Sequence, residues 1–589
     1  MPTLTRSGYG VVVLATLTLL ASCGGGGGGG GTGNGSGSGS GGGSGGGGTN
    51  PPTQPPQPNR APVAANDALR VDGAAVNNIN VLANDTDADG NALTVSITEP
   101  ALIGVASVNA DGTVKLASLP GDFKGYTRFK YRVTDPAGLT SDGVAAIFVG
   151  TEPFRVVFAG DQSANGSIEL FLANLIGAPV QISSAADASL KLTGFIASTN
   201  GSTVVYRRAS ASASDLSFVR TSTPKQDARI TFPAGATLVD NQYTVSSDGQ
   251  WIAAVARDGS SVDAAYVVNV SSPSTVTKVS IPGAVRASLP RFSSDSKSLF
   301  LLASPVTNGE NDDLYTVALS GMMVTQISAP TPLSSNDDVL DYSVASDQSR
   351  ILLRANRTGR VGLYYINPAQ LQTEVKVNHN LGLTEVIQET TVGQPTNAGG
   401  SVLTAHVAYT VQSLTTFTTW LADVSATPAP HVVASSGARI RGFRPDDGAL
   451  TYSRSGQIIE AVLDGSVSDA VIGAGTANWY DSTGNIVLLQ QLLPSGGSPS
   501  TYPALAVAVR GSFASTTPLG TPVLAAHYVD ASGFDRGVAI IGEGATTGTP
   551  PTSAKLVLVN AMAPDKLIPL ADFVSPLQLT PAASQVVKN

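Results

Sequence analysis

From Phe154 onward, apolar residues come in short runs separated by turn-forming residues, and the arrangement recurs. The clearest copy is Tyr243-Thr-Val-Ser-Ser-Asp-Gly-Gln-Trp-Ile-Ala-Ala-Val255, where two apolar runs flank Ser246-Ser247-Asp248-Gly249. Short runs rich in β-branched and aromatic residues, bounded by Ser, Asp and Gly, predict strand, tight turn, strand. Further copies start at Pro290 (Pro-Arg-Phe-Ser-Ser-Asp-Ser-Lys-Ser-Leu-Phe-Leu), Tyr342 (Tyr-Ser-Val-Ala-Ser-Asp-Gln-Ser-Arg-Ile-Leu-Leu) and Gly442 (Gly-Phe-Arg-Pro-Asp-Asp-Gly-Ala-Leu-Thr-Tyr). Weaker ones occupy 195–206, 479–488 and 528–540. The turn residues Asp248, Asp295 and Asp347 lie about 50 residues apart, a period that marks stacked repeats. Asp447 falls two periods beyond Asp347, with a degenerate copy around Asn397-Ala-Gly-Gly-Ser401 between them. A third strand follows two of the copies, at 313–318 and 362–366, and a short fourth follows at 324–327.

Four antiparallel strands per unit make one blade of a β-propeller. The repeat resembles the TolB-type propeller unit, whose consensus is roughly P-x-F-S-P-D-G-x-x-I-A-F followed by I-Y-x-x-D. Pro290, Phe292, Ser293 and Asp295 fit it, and several other copies lack the Pro or the Gly. The resemblance implies an all-β propeller over residues 151–589. Nine units can be counted, and about eight blades are expected (range about seven to nine), with one weak copy dropping out or two segments sharing a blade. Residues 154–183 supply three strands and no inner one, whereas 575–587 read as an inner strand with nothing after it. The C-terminus is therefore expected to complete the first blade, which removes open sheet edges.

The N-terminal part has a different pattern. Arg6 precedes an apolar run, Val11 to Leu20, of the length of a signal-peptide core and too short to span a bilayer. It ends in Leu20-Ala21-Ser22-Cys23, and Cys23 is the chain's only cysteine. This resembles the box of bacterial lipoproteins, which implies a signal peptide at 1–22, cleavage before Cys23 and lipid on its thiol. The alternative is an ordinary secretory signal with an incidental cysteine. Gly24 stands where an Asp marks inner-membrane retention in enteric bacteria, which favours the outer membrane, on its periplasmic or surface face. Residues 23–60 form a tether: nearly all Gly and Ser to 49, then Pro51, Pro52, Pro55, Pro56 and Pro58, which favour polyproline II. A G-x-S-x-G match around Ser44 lies inside this linker, without the strand and helix that a nucleophile elbow needs.

Across 61–150, Val-rich short strands alternate with Asn, Asp and Gly turns, a length and pattern suited to one β-sandwich. The run Asn78-Ile-Asn-Val-Leu-Ala-Asn-Asp-Thr-Asp-Ala-Asp-Gly-Asn-Ala-Leu-Thr-Val95 resembles bacterial cadherin-like, immunoglobulin-type repeats, as do Ala65-Asn66-Asp67 and Tyr131-Arg-Val-Thr-Asp-Pro-Ala-Gly138. Asp85, Asp87 and Asp89 alternate ahead of Gly90, and hard oxygens at such spacing suit calcium. The loop is not an EF-hand, because its twelfth position is Ser96. Asp67 and Asp135 are the natural additional ligands if the strand ends meet. The plain alternative is a solvated turn whose acids accept backbone hydrogen bonds.

Charged residues make up 13% of the chain and the formal net charge is −9, with no Lys/Arg cluster, which argues against nucleic acid as a partner. The four histidines, His379, His406, His431 and His527, have no metal-ligand spacing. Prolyl-oligopeptidase-type enzymes join a similar propeller to a hydrolase domain, but here the repeat runs to the last residues. The turn aspartates Asp248 and Asp347 are expected to cap turns rather than to catalyse. Trp251, Trp420 and Trp479 are expected to pack blades rather than bind sugar. The function expected is non-enzymatic: a monomeric, lipid-anchored envelope protein whose propeller binds a protein or polysaccharide. A propeller hydrolase or lyase acting at the channel mouth, and a calcium-dependent adhesin, are the competing expectations.

Overall fold

A computed structural model of the chain describes residues 58–149 except 72–75, 102 and 120–124. It describes 154–491 except 162–166, 174–178, 185–189, 212, 307–310, 333–336, 346–347, 349, 383, 393–405, 424–427, 445–447, 464–468, 476 and 481–485. Beyond 491 it describes the strands 504–509, 517–518, 523–531, 534–543, 553–560, 563–572 and 584–588. Cys23 and the tether up to residue 57 lie outside these residues, as do Asp347, Asp447 and the degenerate copy at 397–401. Every regular element among the described residues is a strand. The chain divides after residue 150 into two compact units.

The N-terminal unit has seven strands: β1 (Asp67–Val71), β2 (Val76–Ile79), β3 (Thr94–Glu99), β4 (Val105–Val108), β5 (Val114–Ala117), β6 (Gly125–Thr134) and β7 (Thr140–Val149). They form a four-stranded sheet, β1-β7-β6-β3, and a three-stranded one, β2-β5-β4. The first strand runs parallel to the last, Asp67 opposite Ala145 through Val71 opposite Val149. Alternation along β6 and β7 buries Phe129, Tyr131, Val133, Ala145, Ile147 and Val149, which meet Ile79, Val81, Val114 and Leu116 from the other layer. Period-two patterning thus gives each sheet one dry face.

In the second unit, strands pair in sets of four. The first set holds β8 (Phe154–Gly160), β9 (Glu169–Ala173) and β10 (Val180–Gln181), and its fourth member is the C-terminal strand Ser584–Lys588. That strand lies antiparallel to β8, with Ser584 opposite Phe158 and Lys588 opposite Phe154. The remaining sets span 191–229, 237–278, 286–326, 338–376, 385–434, 439–474, 477–518 and 523–572. Two of them, 237–278 and 286–326, are joined into one eight-stranded sheet by a single parallel pair, Asp263 with Arg286. The described strands thus make nine sets, and the sequence repeats other than the degenerate copy at 397–401 each fall in a set of their own.

Buried residues of neighbouring sets share cores. Val205 and Phe218 pack with Tyr243, Ile252 and Val268. Leu352 and Leu363 pack with Ile387, Tyr409 and Val411. Sheets stacked face to face in this way, each a twisted antiparallel meander, are the construction of a β-propeller.

Candidate functional site

The turns between the first and second strands of three successive sets are built alike. At 246–251, the Ser246 hydroxyl donates to Asp248 Oδ1 (2.6 Å), Gln250 N–H donates to the same oxygen (3.0 Å), and Trp251 N–H donates to Ser246 Oγ (2.9 Å). One set later, Ser293 donates to Asp295 (2.7 Å), Lys297 N–H to Asp295 (3.1 Å) and Ser298 N–H to Ser293 Oγ (2.9 Å). One set earlier, Ser198 and Asn200 do the same, with Ser202 N–H donating to Asn200 (3.0 Å). The expectation that turn aspartates cap backbone N–H groups therefore describes Asp248 and Asp295. Hydrogen bonds onto the Asp295 carboxylate, from Ser293 first, hold it below the usual range.

These turns also hold one another. Asn200 Nδ2 donates to the Asp248 carbonyl (2.8 Å), Thr203 Oγ1 donates to the Gly249 carbonyl (2.9 Å), and Asp248 N–H donates to Ser296 Oγ (3.1 Å). Trp251 packs against the core shared by the 237–278 and 286–326 sets, and Trp420 is stacked on His379, consistent with packing roles for both. Trp479 lies on a strand whose side chains are outside the described residues.

A second recurrent feature sits on the first strands. Seven of them lose register once against the second strand, at 192/194, 238/243, 288/291, 339/341, 387/389, 440/442 and 523/525. A bulge leaves backbone unpaired and re-aims its side chains. Here side chains at or beside three of the bulges pass contacts from set to set. Arg207 pairs with Asp240 across a set boundary (2.6 Å). Leu289 N–H donates to Gln242 Oε1 (2.7 Å). Arg291 donates to Asp341 (3.0 Å) and to the Tyr342 carbonyl, and lies over the Tyr342 ring. Within their own sets, Gln388 donates to Gln412 (2.7 Å) and Arg441 donates to Ser453 (3.0 Å). Beside the glutamine pair, Val386 and Leu414 are exposed, Leu414 at 74%.

Four acids of this unit with buried carboxylates meet arginines: Glu169 with Arg208 (2.9 Å), Asp312 with Arg286 (2.7 Å), Glu374 with Arg357 (2.8 Å) and Glu460 with Arg444 (3.4 Å). Burial still raises Asp312 to about 6, against the pull of Arg286. Tyr206 and Tyr452, fully buried, each donate to an aspartate just before a fourth strand, Asp227 and Asp469 (2.5 Å each). His379 lies 3.8 Å, ring to ring, from Trp420, with Nδ1 at 3.2 Å from the Tyr409 hydroxyl and Nε2 at 3.5 Å from Glu385. Burial lowers its pKa, against the pull of Glu385.

The five aspartates singled out as calcium ligands divide their contacts. Asp85 Oδ1 accepts Ala65 N–H (2.6 Å) and the Tyr131 hydroxyl (3.2 Å). Asp67 is buried beside them; burial raises it to about 6, the Tyr131 hydrogen bond opposes this and the Asp85 charge adds to it. Asp87 caps its own loop, accepting from Asp89 N–H (2.8 Å) and Asn91 N–H (3.1 Å). Asp89 is paired with Arg60 (3.0 Å). Asp135 accepts from Asn59 Nδ2 (2.6 Å) and Leu139 N–H (2.8 Å). One oxygen each of Asp67, Asp85 and Asp87 is buried without a partner, which is donor chemistry a cation could use. Yet no three acidic, His or Cys groups among the described residues gather closely enough to hold a metal. The five do not fit a single calcium site: Asp89 already faces a guanidinium, and Asp135 an amide and its own turn.

Residues 59–148 match the family model described as Bacterial Ig domain. Comparison of the chain with curated proteins returns no match. Among solved structures, the chain is similar to a eukaryotic initiation factor at 8% identity, covering 74% of this chain and 98% of that one, with a TM-score of 0.48. It is similar to Porphyromonas gingivalis dipeptidyl peptidase 4 at 13% identity, covering 64% and 59%, with a TM-score of 0.41. TolB from Acinetobacter baumannii matches at 13% identity over 59% of this chain and 82% of its own, with a TM-score of 0.28.

Proposed function

We propose that this chain is a non-enzymatic lipoprotein of the bacterial envelope that binds a protein partner along the bulged first strands of its propeller. In this reading the nine sets are blades of one ring, with Ser584–Lys588 as the inner strand of the first. The Ig-type unit, cadherin-like in its Asp-rich run, is a spacer between tether and propeller. Cys23 carries the lipid, and the outer membrane is the address.

The observation that carries the reading is the row of bulges. Register slips recur on seven first strands, and polar residues stand at or beside six of them, Thr193, Asp240, Arg291, Asp341, Gln388 and Arg441; loop-edge surfaces of this kind are where propellers meet partners. The acids nearby support binding over catalysis, because Arg207–Asp240 and Arg291–Asp341 are already paired. Aliphatic Val386 and Leu414 beside Gln388 favour a protein over a glycan, which would call for exposed aromatic platforms.

The test is crosslinking in intact envelopes, comparing wild type with Leu414→Asp and Asp240→Lys. A single protein adduct, lost in both variants, is the expected result. An adduct indifferent to both substitutions rules this surface out. Retention on purified envelope polysaccharide that survives protease treatment assigns the partner to the other class.

A further inference from the structure

The Asp-rich run of the Ig-type unit faces the segment by which the chain enters that unit, and the two run antiparallel. Arg60 meets Asp89, Val63 pairs with Thr86, Ala65 meets Asp85, and Asn66 meets Asn84. Three of these contacts are made by backbone N–H groups of the entering segment. Arg60 N–H donates to Asp89 Oδ2 (2.6 Å), Val63 N–H to the Thr86 carbonyl (2.8 Å) and Ala65 N–H to Asp85 Oδ1 (2.6 Å). Side chains lock the outer end. The Arg60 guanidinium donates to Asp89 Oδ1 (3.0 Å) and to the Ala88 carbonyl (2.7 Å). Asn59 donates to Asp135 and accepts from Asn91 Nδ2 (2.8 Å).

We infer that this acidic run is a clasp for the chain's own residues 59–66, with the Arg60 guanidinium standing where the resemblance to cadherin-like repeats would place a metal ion. Carboxylates at alternate positions serve a ligand sphere, but they serve equally as acceptors for backbone N–H groups of a segment lying antiparallel to them, here those of residues 60 and 65. Asp85 and Asp89 take the second role and Asp87 shapes the loop between them. Hydrogen bonds from Arg60, backbone first, hold Asp89 below the usual carboxylate range, as a bound cation would. The clasp ties down the point where the Pro-rich tether joins the folded unit, so that pull on the tether is taken by the Asp loop and the β6–β7 turn. It also removes the need for calcium.

Hydrogen exchange on the full chain tests this, with and without millimolar calcium, in wild type, Arg60→Gln and Asp89→Asn. In wild type, exchange over 60–66 and 84–91 should be the same in calcium and in chelator. Both variants should speed exchange over 60–66 severalfold and leave peptides of the 237–278 set unchanged, so that loss of folding is distinguished from loss of the clasp. Slower exchange of the wild-type Asp loop in calcium would overturn the inference in favour of a metal site. Unchanged exchange over 60–66 in both variants would overturn it by removing the clasp.

Discussion

Burial moves two side chains in opposite senses, and the two should respond oppositely to pH. Asp67, buried against Tyr131 and Asp85, is raised from 3.8 to about 6. A carboxyl raised on folding contributes stability that is full below the unfolded value and lost as pH rises through the folded one. Its contribution should therefore fade between about pH 4 and about 6. Asp67→Asn keeps the neutral form at every pH. It should match wild type near pH 4 and exceed it in melting temperature at pH 7.5. His379 is lowered from 6.5 by burial, with Glu385 opposing. Its neutral form is the folded form, so its contribution is present above 6.5 and lost as pH falls through the folded value. The difference in melting temperature between wild type and His379→Gln should shrink on acidification. Thermal melts from pH 4 to 8 decide both; differences that do not vary with pH would show that neither group titrates as its surroundings dictate. The sequence showed both residues but neither environment, because the groups that bury Asp67 come from about 20 and 65 residues away.

Among the elements, the interlocked turns are the clearest case of a repeat that does more than recur. Gly249 has φ +69, and a Cβ there would stand 2.2 Å from Ser202 Oγ and 3.0 Å from Thr203 Oγ1, both in the preceding set. Glycine is thus required twice, by backbone conformation and by the neighbour's approach. Gly283, with φ +76 and open space around its Cβ position, separates the two demands. Gly283→Ala should cost about 1 kcal/mol, the left-handed penalty alone. Gly249→Ala should cost about 2–4 kcal/mol, because the 198–203 turn must also shift. Denaturant unfolding of the pair is the measurement, and equal losses would mean that the turns do not bear on each other. The Ser-x-Asp-Gly pattern was legible since it concerns residues within five positions. Its successor at 293–298 has Ser296 at φ +59 in glycine's place and still closes the same bonds, so the motif tolerates loss of the Gly. The bulges left no such trace: Thr193, Leu340, Gln388 and Arg441 share no chemistry, and a register slip is set by the pairing of two strands. Nor did the tyrosine–aspartate bonds, whose partners lie some 17 to 21 residues apart within a repeat.

For the whole molecule, the all-β architecture and the pairing of the C-terminal strand with β8 followed from counting strands at both ends of the repeat. What counting could not supply was employment for the acids of the Ig-type unit. Five aspartates in a cadherin-like pattern suggested a metal, and two of them, Asp135 and Asp89, meet Asn59 and Arg60, in a stretch that reads as linker. The same stretch leads back to Cys23, on which we propose the membrane anchor sits. Two or three acyl chains on that residue, at about 0.8 kcal/mol per buried CH₂, would hold the protein against washing in a way that no single chain does. No helix among the described residues is long and apolar enough to cross a membrane, and the proposal puts the hold on that thiol. Full-length wild type should incorporate a labelled fatty acid and stay with membranes through alkaline carbonate. Cys23→Ser should lose the label and appear in the soluble fraction at unchanged melting temperature. Label that persists without Cys23, or a Ser variant that stays in the carbonate pellet, would place the anchor elsewhere in the chain.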